Sequence, residues 1–138
     1  MTTAIKKTIS SLKNYFLLAM PGLNDPNFAQ SVVYICEHSA DGAMALIINQ
    51  PLTIQAKAIY DQLDLSYGDE YGSALIFDGG PVQRDRGFIL HPTVDKQWES
   101  TVEIAADISL TASKDILSGI AVGNGPENAL ITLGYSSW

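Results

Sequence analysis

Apolar positions follow two rhythms along this 138-residue chain. In the first, nearly every residue of a short run is apolar. Phe16–Met20, Ser31–His38, Ala43–Asn49, Ala74–Phe77, Gly87–His91 and Ala129–Leu133 have the length and composition of buried strands. Ser39-Ala40-Asp41-Gly42 joins two of them, and Asp-Gly between apolar runs predicts a hairpin. Its two strands are apolar on both faces, which places them centrally in a sheet. Between Gln97 and Ile104 the pattern alternates. Trp98, Val102 and Ile104 share one face and Glu99, Thr101 and Glu103 the other, which predicts a half-exposed strand.

The second rhythm has the helical period. Ile5, Thr8, Ile9 and Leu12 predict an amphipathic helix over 3–13, packed on the sheet or, alternatively, resting weakly on an anionic membrane. Ala56, Ile59, Tyr60 and Leu63 predict a second helix with Thr53 as its N-cap. Ile116, Leu117 and Ile120 predict a third, ending near Gly123. Pro21-Gly22 with Asn24–Asn27, Gly68–Glu70 and Asp78–Asp85 carry turn chemistry. Hairpins outnumber crossovers in this order. The expectation is one α+β domain over 1–138, with a mixed, mainly antiparallel, curled or barrel-like sheet flanked by helices.

Composition narrows the function classes. Hydrophobic residues are 46% and charged residues 17%, which excludes a disordered chain. Eight basic residues face fifteen acidic ones, a net charge of −7. Lys6, Lys7 and Lys13 lie in an acid-free N-terminal stretch, so the remainder carries five basic against fifteen acidic residues. Such a body repels phosphate backbones, and nucleic acid is disfavoured as a partner. No apolar stretch reaches the length of a membrane span. The run Tyr15–Met20 is shorter than a signal-peptide core and meets Pro21-Gly22. A cytoplasmic protein is therefore expected, and a single Cys, which excludes an internal disulfide, fits a reducing compartment.

Candidate chemistry is sparse. Cys36 and His38, two apart on a strand, face one side with Glu37 on the other. A neighbouring imidazole would make the thiol redox-responsive, whereas apolar burial would leave it inert. His38 and His91 show no zinc-site spacing with Cys36, so no metal or cofactor is expected. Ser31, Ser136 and Ser137 lack a nucleophile elbow, and no catalytic residue is assigned. In Gly79-Gly80-Pro81-Val82-Gln83-Arg84-Asp85-Arg86-Gly87 the two glycines would let backbone N–H groups converge on an anion, with two arginines as forked donors. Gly123-Asn124-Gly125-Pro126 would add a second wall. The plainer reading is tight turns, with Arg86 paired to Asp78, Asp85 or Asp25. Met20–Gly22, Asn24–Phe28 and Gly134–Trp138 are expected to converge with Gly79–Pro92 into a groove. Asp25, Asn27, Gly79, Gly80, Arg84, Arg86, His91 and Tyr135 are then the candidate ligand-binding residues, and Tyr135 with Trp138 forms either an aromatic wall or a plug.

Four blocks carry a resemblance. They are Ala19–Phe28, Ser31–His38 with Gly42-Ala43-Met44, Gly79–Val82 with Asp85–His91, and Gly125-Pro126 with Leu133-Gly134-Tyr135 and Trp138. In this order they resemble the AlgH/YqgE family of bacterial proteins. The resemblance implies an α+β fold with a bifurcated, barrel-like sheet and a cytosolic bacterial protein, but no reaction. Some members are described as regulators of exopolysaccharide production, a genetic label. It also implies a C-terminal helical segment after the Trp138 block, which this chain is expected to lack. The leading functional expectation is a non-enzymatic cytoplasmic regulatory or interaction protein with an unidentified protein partner. The alternatives are binding of a small anion or nucleotide through Gly79–Arg86, and redox response through Cys36.

Overall fold

The computed structural model describes residues 13–18, 31–94 and 98–137. Along the chain these form β1 (Phe16–Leu18), β2 (Val32–Ser39), β3 (Gly42–Ile47), β4 (Pro51–Gln55), α1 (Ala56–Gln62), a 3-10 turn (Asp69–Tyr71), β5 (Leu75–Asp78), β6 (Val82–Pro92), β7 (Thr101–Ala105), β8 (Ile108–Thr111), α2 (Lys114–Ala121) and β9 (Leu130–Ser137). The helix expected over 3–13 lies outside the described residues apart from Lys13, which sits in a turn.

The strands build one sheet in the order β1-β2-β3-β9-β6-β8-β7, with β4 and β5 branching from it. β9 is the trunk. One edge pairs antiparallel with β6 from Leu130 to Tyr135. The other edge is shared: Ile131–Leu133 runs parallel to β5, and Ser136-Ser137 pairs antiparallel with β3. β5–β9 is the parallel pair, and the other ladders are antiparallel. This is the expected α+β class, with a mainly antiparallel sheet that forks and curls toward a barrel. The Asp41-Gly42 hairpin forms as predicted, with Gly42 at φ 137° and both of its strands inside the sheet.

Two apolar clusters hold the sheet. One lies beneath the helices: Tyr60 of α1, Ile116 and Leu117 of α2, and Ile76, Ile89 and Ile131 of the strands, with Trp98 at its margin. The other is drawn from strands, with Tyr34, Cys36, Leu46, Phe88 and Ile104 at its centre. Phe88 and Ile89 of β6 alternate between the two, as the strand period requires. Each fully buried aliphatic side chain contributes roughly 1.5–3 kcal/mol.

Three local expectations are corrected. Thr53 does not cap α1; it lies in β4, and Gln55 occupies the cap position without a side-chain hydrogen bond. The helix ends where Asp64, at φ 58°, turns the chain and Leu65 N–H bonds to Tyr60 C=O at 2.8 Å. Val102 does not share the buried face of Ile104: it is 59% exposed, because the β7–β8 register shifts between Glu103 and Ala105. β6 begins at Val82 rather than after a turn reaching Asp85, although its ladder is interrupted over the next residues.

Candidate functional site

The Gly79-Gly80 pair sits where the sheet forks. Gly79 N–H donates to Leu133 C=O of β9 at 2.8 Å, and Gly79 C=O accepts from Ile47 N–H at 2.9 Å, beside β3. The Ser136 hydroxyl also donates to that carbonyl, at 3.3 Å. Gly80 N–H is taken by the Asp78 carboxylate at 3.2 Å. A Cβ on Gly79 would collide with the Gly134 carbonyl, and one on Gly80, at φ 150°, with the Tyr135 carbonyl. These glycines let two backbones touch and bridge the gap between β3 and β5. Their N–H groups are spent inside the fold, so the anion nest expected here is not formed. The proposed second wall is likewise occupied, with Gly123 against the Tyr71 ring and Gly125 against Ile120.

Three residues later the backbone behaves differently. Val82 pairs with Tyr135 and Gly87 with Leu133, so β6 carries several more residues than β9 over the same interval. Residues 83–86 bulge out of the ladder, with Gln83 at φ 49°, and all four are exposed. The bulge cancels strand alternation, and Arg84, Asp85 and Arg86 all line one open cleft of about 320 Å³. Its other walls are Ile54 of β4, Ile59, Gln62 and Leu63 along α1, Ser113, Lys114 and Leu117 at the start of α2, and Ile131 and Leu133 of β9.

Charge gathers here. Of the five described cations (Lys13, Lys57, Arg84, Arg86 and Lys114), three line this cleft, beside a single carboxylate, Asp85. Arg84 Nη2 reaches Asp78 at 3.5 Å, and its Nε donates to Gly80 C=O at 3.4 Å. The Arg86 guanidinium stands 5.4 Å from the centre of the Phe88 ring, a cation–π contact. The N-terminus of α2 contributes no anion seat of its own, because Asp115 occupies it. Burial pulls that carboxyl upward. Hydrogen bonds from the Ser113 hydroxyl and from Glu99 and Ile116 N–H outweigh burial and hold it below its usual range.

The remaining sequence candidates fall elsewhere. Asp25, Asn27 and Trp138 lie outside the described residues. Tyr135 packs edge-to-face on Phe88, with centroids 5.4 Å apart, in the strand-lined cluster and not in the cleft. His91 is buried, and both ring nitrogens are engaged. Its Nδ1 faces Pro92 C=O at 2.8 Å, which can only accept, so Nδ1 carries the proton. Nε2 then accepts from the Thr111 hydroxyl at 2.8 Å, and Thr111 in turn meets Thr101 at 2.9 Å. That chain ties β6, β8 and β7 together and leaves His91 no nitrogen for a ligand.

Cys36 is the extra residue of a second bulge, between Ile35 and Glu37 of β2. It is 4% exposed, and its Sγ lies 3.7 Å from Tyr34 C=O. Burial, reinforced by the negative charge of Glu37, pushes the thiol up to about 12 despite a hydrogen bond from Leu46 N–H and the charge of Lys13. It is protonated at neutral pH. Past the bulge, Glu37 is exposed and His38 is half-buried near the strand's end. Among the described residues no three His, Cys, Asp or Glu side chains are placed to hold a metal.

Comparison with known proteins decides the family. The AlgH-like family model (DUF179) matches residues 16–138. The chain belongs to the AlgH-like family. A UPF0301 protein from Chromobacterium violaceum is 50% identical over 129 residues, covering 93% of this chain and 69% of the relative. One from Saccharophagus degradans is 46% identical, covering 93% and 63%. The chain thus spans about two thirds of the length of these curated relatives. Among solved structures, the solution structure of the AlgH protein from Pseudomonas aeruginosa superposes with a TM-score of 0.81 at 43% identity, over 95% of this chain and 69% of that one. The crystal structure of DIP2367 from Corynebacterium diphtheriae, at 15% identity and a TM-score of 0.64, shares the fold. No helix among the described residues is long and apolar enough to cross a membrane.

Of the cleft's polar residues, Arg84 and Arg86 stand out in sequence as a close pair of cations. Lys114, Ser113 and Gln62 do not. They come from helices packed over the sheet, and the only hint was a basic residue at the start of a predicted helix.

Proposed function

We propose that this AlgH-like chain is a non-catalytic, cytoplasmic regulatory protein that works by holding a small anion in the cleft between α1, α2 and the β6 bulge. The observation that carries this reading is the concentration of Arg84, Arg86 and Lys114 on one cleft of an otherwise acidic molecule. Neither histidine nor the cysteine lines the cleft, which supports occupancy rather than turnover as its output. Charge-assisted hydrogen bonds to an anion are worth about 1.5–3 kcal/mol each.

Thermal shift of the whole chain against phosphate, acetate and larger phosphate and carboxylate compounds tests this. Melting rises with ligand concentration as binding to the native state requires. Arg86→Gln and Lys114→Gln each weaken binding roughly tenfold, and raising the salt concentration weakens it further. A flat response to every anion discards the reading.

A further inference from the structure

The cleft's floor differs in kind from its rim. Ile54, Ile59, Leu63, Leu117, Ile131 and Leu133 supply an aliphatic surface continuous with the core beneath the helices. Leu117 and Ile131 are buried, Ile59, Leu63 and Leu133 are half-buried, and Ile54 is 37% exposed, so aliphatic surface remains open to solvent. Among the described residues no aromatic side chain lines the cleft, so a nucleobase would find no ring there to stack on. The volume of about 320 Å³ sits at the small end of ligand sites. The three cations come from the β6 bulge and the first residue of α2.

We infer that the ligand is an amphipathic anion: a carboxylate or phosphate head held by Arg86, Lys114 and Arg84, and an unbranched aliphatic chain laid over the floor. This rests on the anion-binding reading and narrows it. Charge complementarity fixes the head, and the aliphatic, ring-free floor fixes the tail. Arg84 stays held by Asp78 and the Gly80 carbonyl and adds its positive charge to the rim. Asp85 on the same rim opposes an anion, but three cations outnumber it.

Gly87 provides a way to test the tail apart from the head. It lines the cleft, and a Cβ there would stand 3.8 Å from Ile89 Cδ1 and 3.9 Å from Leu117 Cδ1, ordinary contact distances. A larger side chain at this position therefore occupies floor without removing a charge. The experiment is calorimetric titration of the full chain with acetate, butanoate, hexanoate and octanoate, with the matching alkyl phosphates and with a nucleoside monophosphate. The expected result is a dissociation constant that tightens about two- to fourfold per added methylene until the floor is covered. Gly87→Leu flattens that chain-length dependence, Gly87→Ala preserves most of it, and Arg86→Gln with Lys114→Gln weakens every length alike. Comparing carboxylate with phosphate identifies the head. Binding that is independent of chain length, or a nucleotide that outbinds octanoate, overturns this inference while leaving the anion reading standing. No binding by any anion overturns both.

Discussion

Two neighbouring stretches, the β5–β6 connection and the start of β6, use their backbones in opposite ways. At Gly79-Gly80 both N–H groups are bonded within the fold, and the absent side chains let β9 approach to contact. At residues 83–86 the ladder opens, and Arg84, Asp85 and Arg86 border a cleft. The glycine-rich stretch, which by sequence looks like an anion loop, is architecture. The arginine stretch beside it is where a ligand has room. Glycines at close backbone contacts leave no free donors, whereas a bulge frees side chains from the sheet's alternation.

The sharpest way to break this comparison is Gly80→Ala. With φ at 150° and the Tyr135 carbonyl in the way, it is expected to cost at least about 3 kcal/mol and to lower the melting temperature steeply in a calorimetric scan. Gly87→Ala, within the open region, should change stability by less than about 1 kcal/mol. Equal losses at the two sites would erase the distinction.

Next comes the β2 bulge, which buries its extra residue where the β6 bulge exposes its own. The Cys36 thiol is raised from its usual value near 9 to about 12, so between these pH values the unfolded chain has lost a proton that the native chain keeps. Stability therefore falls as pH rises through that window, by up to about 1.4 kcal/mol per pH unit from this group, and is unaffected by it at neutral pH. Cys36→Ala should flatten that part of the alkaline unfolding curve. Rapid alkylation of the native thiol at pH 7 would contradict the buried assignment.

Tyr60 sharpens the contrast between satisfied and unsatisfied polar groups. Its hydroxyl is buried without a hydrogen-bond partner among the described residues. Tyr60→Phe should be neutral or stabilise by about 1 kcal/mol in denaturant unfolding, and a clear loss would reveal a hidden partner. The smallest effect belongs to Arg84, which touches both regions. Its ion pair with Asp78 is exposed, so Arg84→Gln should cost well under 1 kcal/mol of stability while weakening anion binding severalfold in the same titrations.

Much of the fold is legible in sequence because it rests on local periodicity. The Asp41-Gly42 hairpin, the apolar β2 and β3, and the i, i+3, i+4, i+7 face of α1 all appear where the pattern puts them. Two strands go unread. β4 opens on Pro51 and is mostly exposed. In β8 the polar Ser109 and Thr111 are the buried residues and Ile108 and Leu110 the half-buried ones, the reverse of what polarity suggests. Hydrogen bonds to Thr93 and His91 make that inversion tolerable, and those partners lie at the end of another strand and just past it. Bulges at Cys36, Ile104 and residues 83–86 escape sequence for a related reason: register slips only relative to a partner. The cleft was half visible, in Arg84 and Arg86, because its remaining walls are brought in by tertiary packing.

The shared strand β9 has a consequence for how the chain folds. It is the last of the described strands, yet β3, β5 and β6 all pair with it. During synthesis those three strands emerge long before their common partner, with open edges that invite wrong pairing. Productive assembly must wait for residues 130–137, so folding is dominated by late, long-range loop closure and is expected to run slowly for a chain of this size.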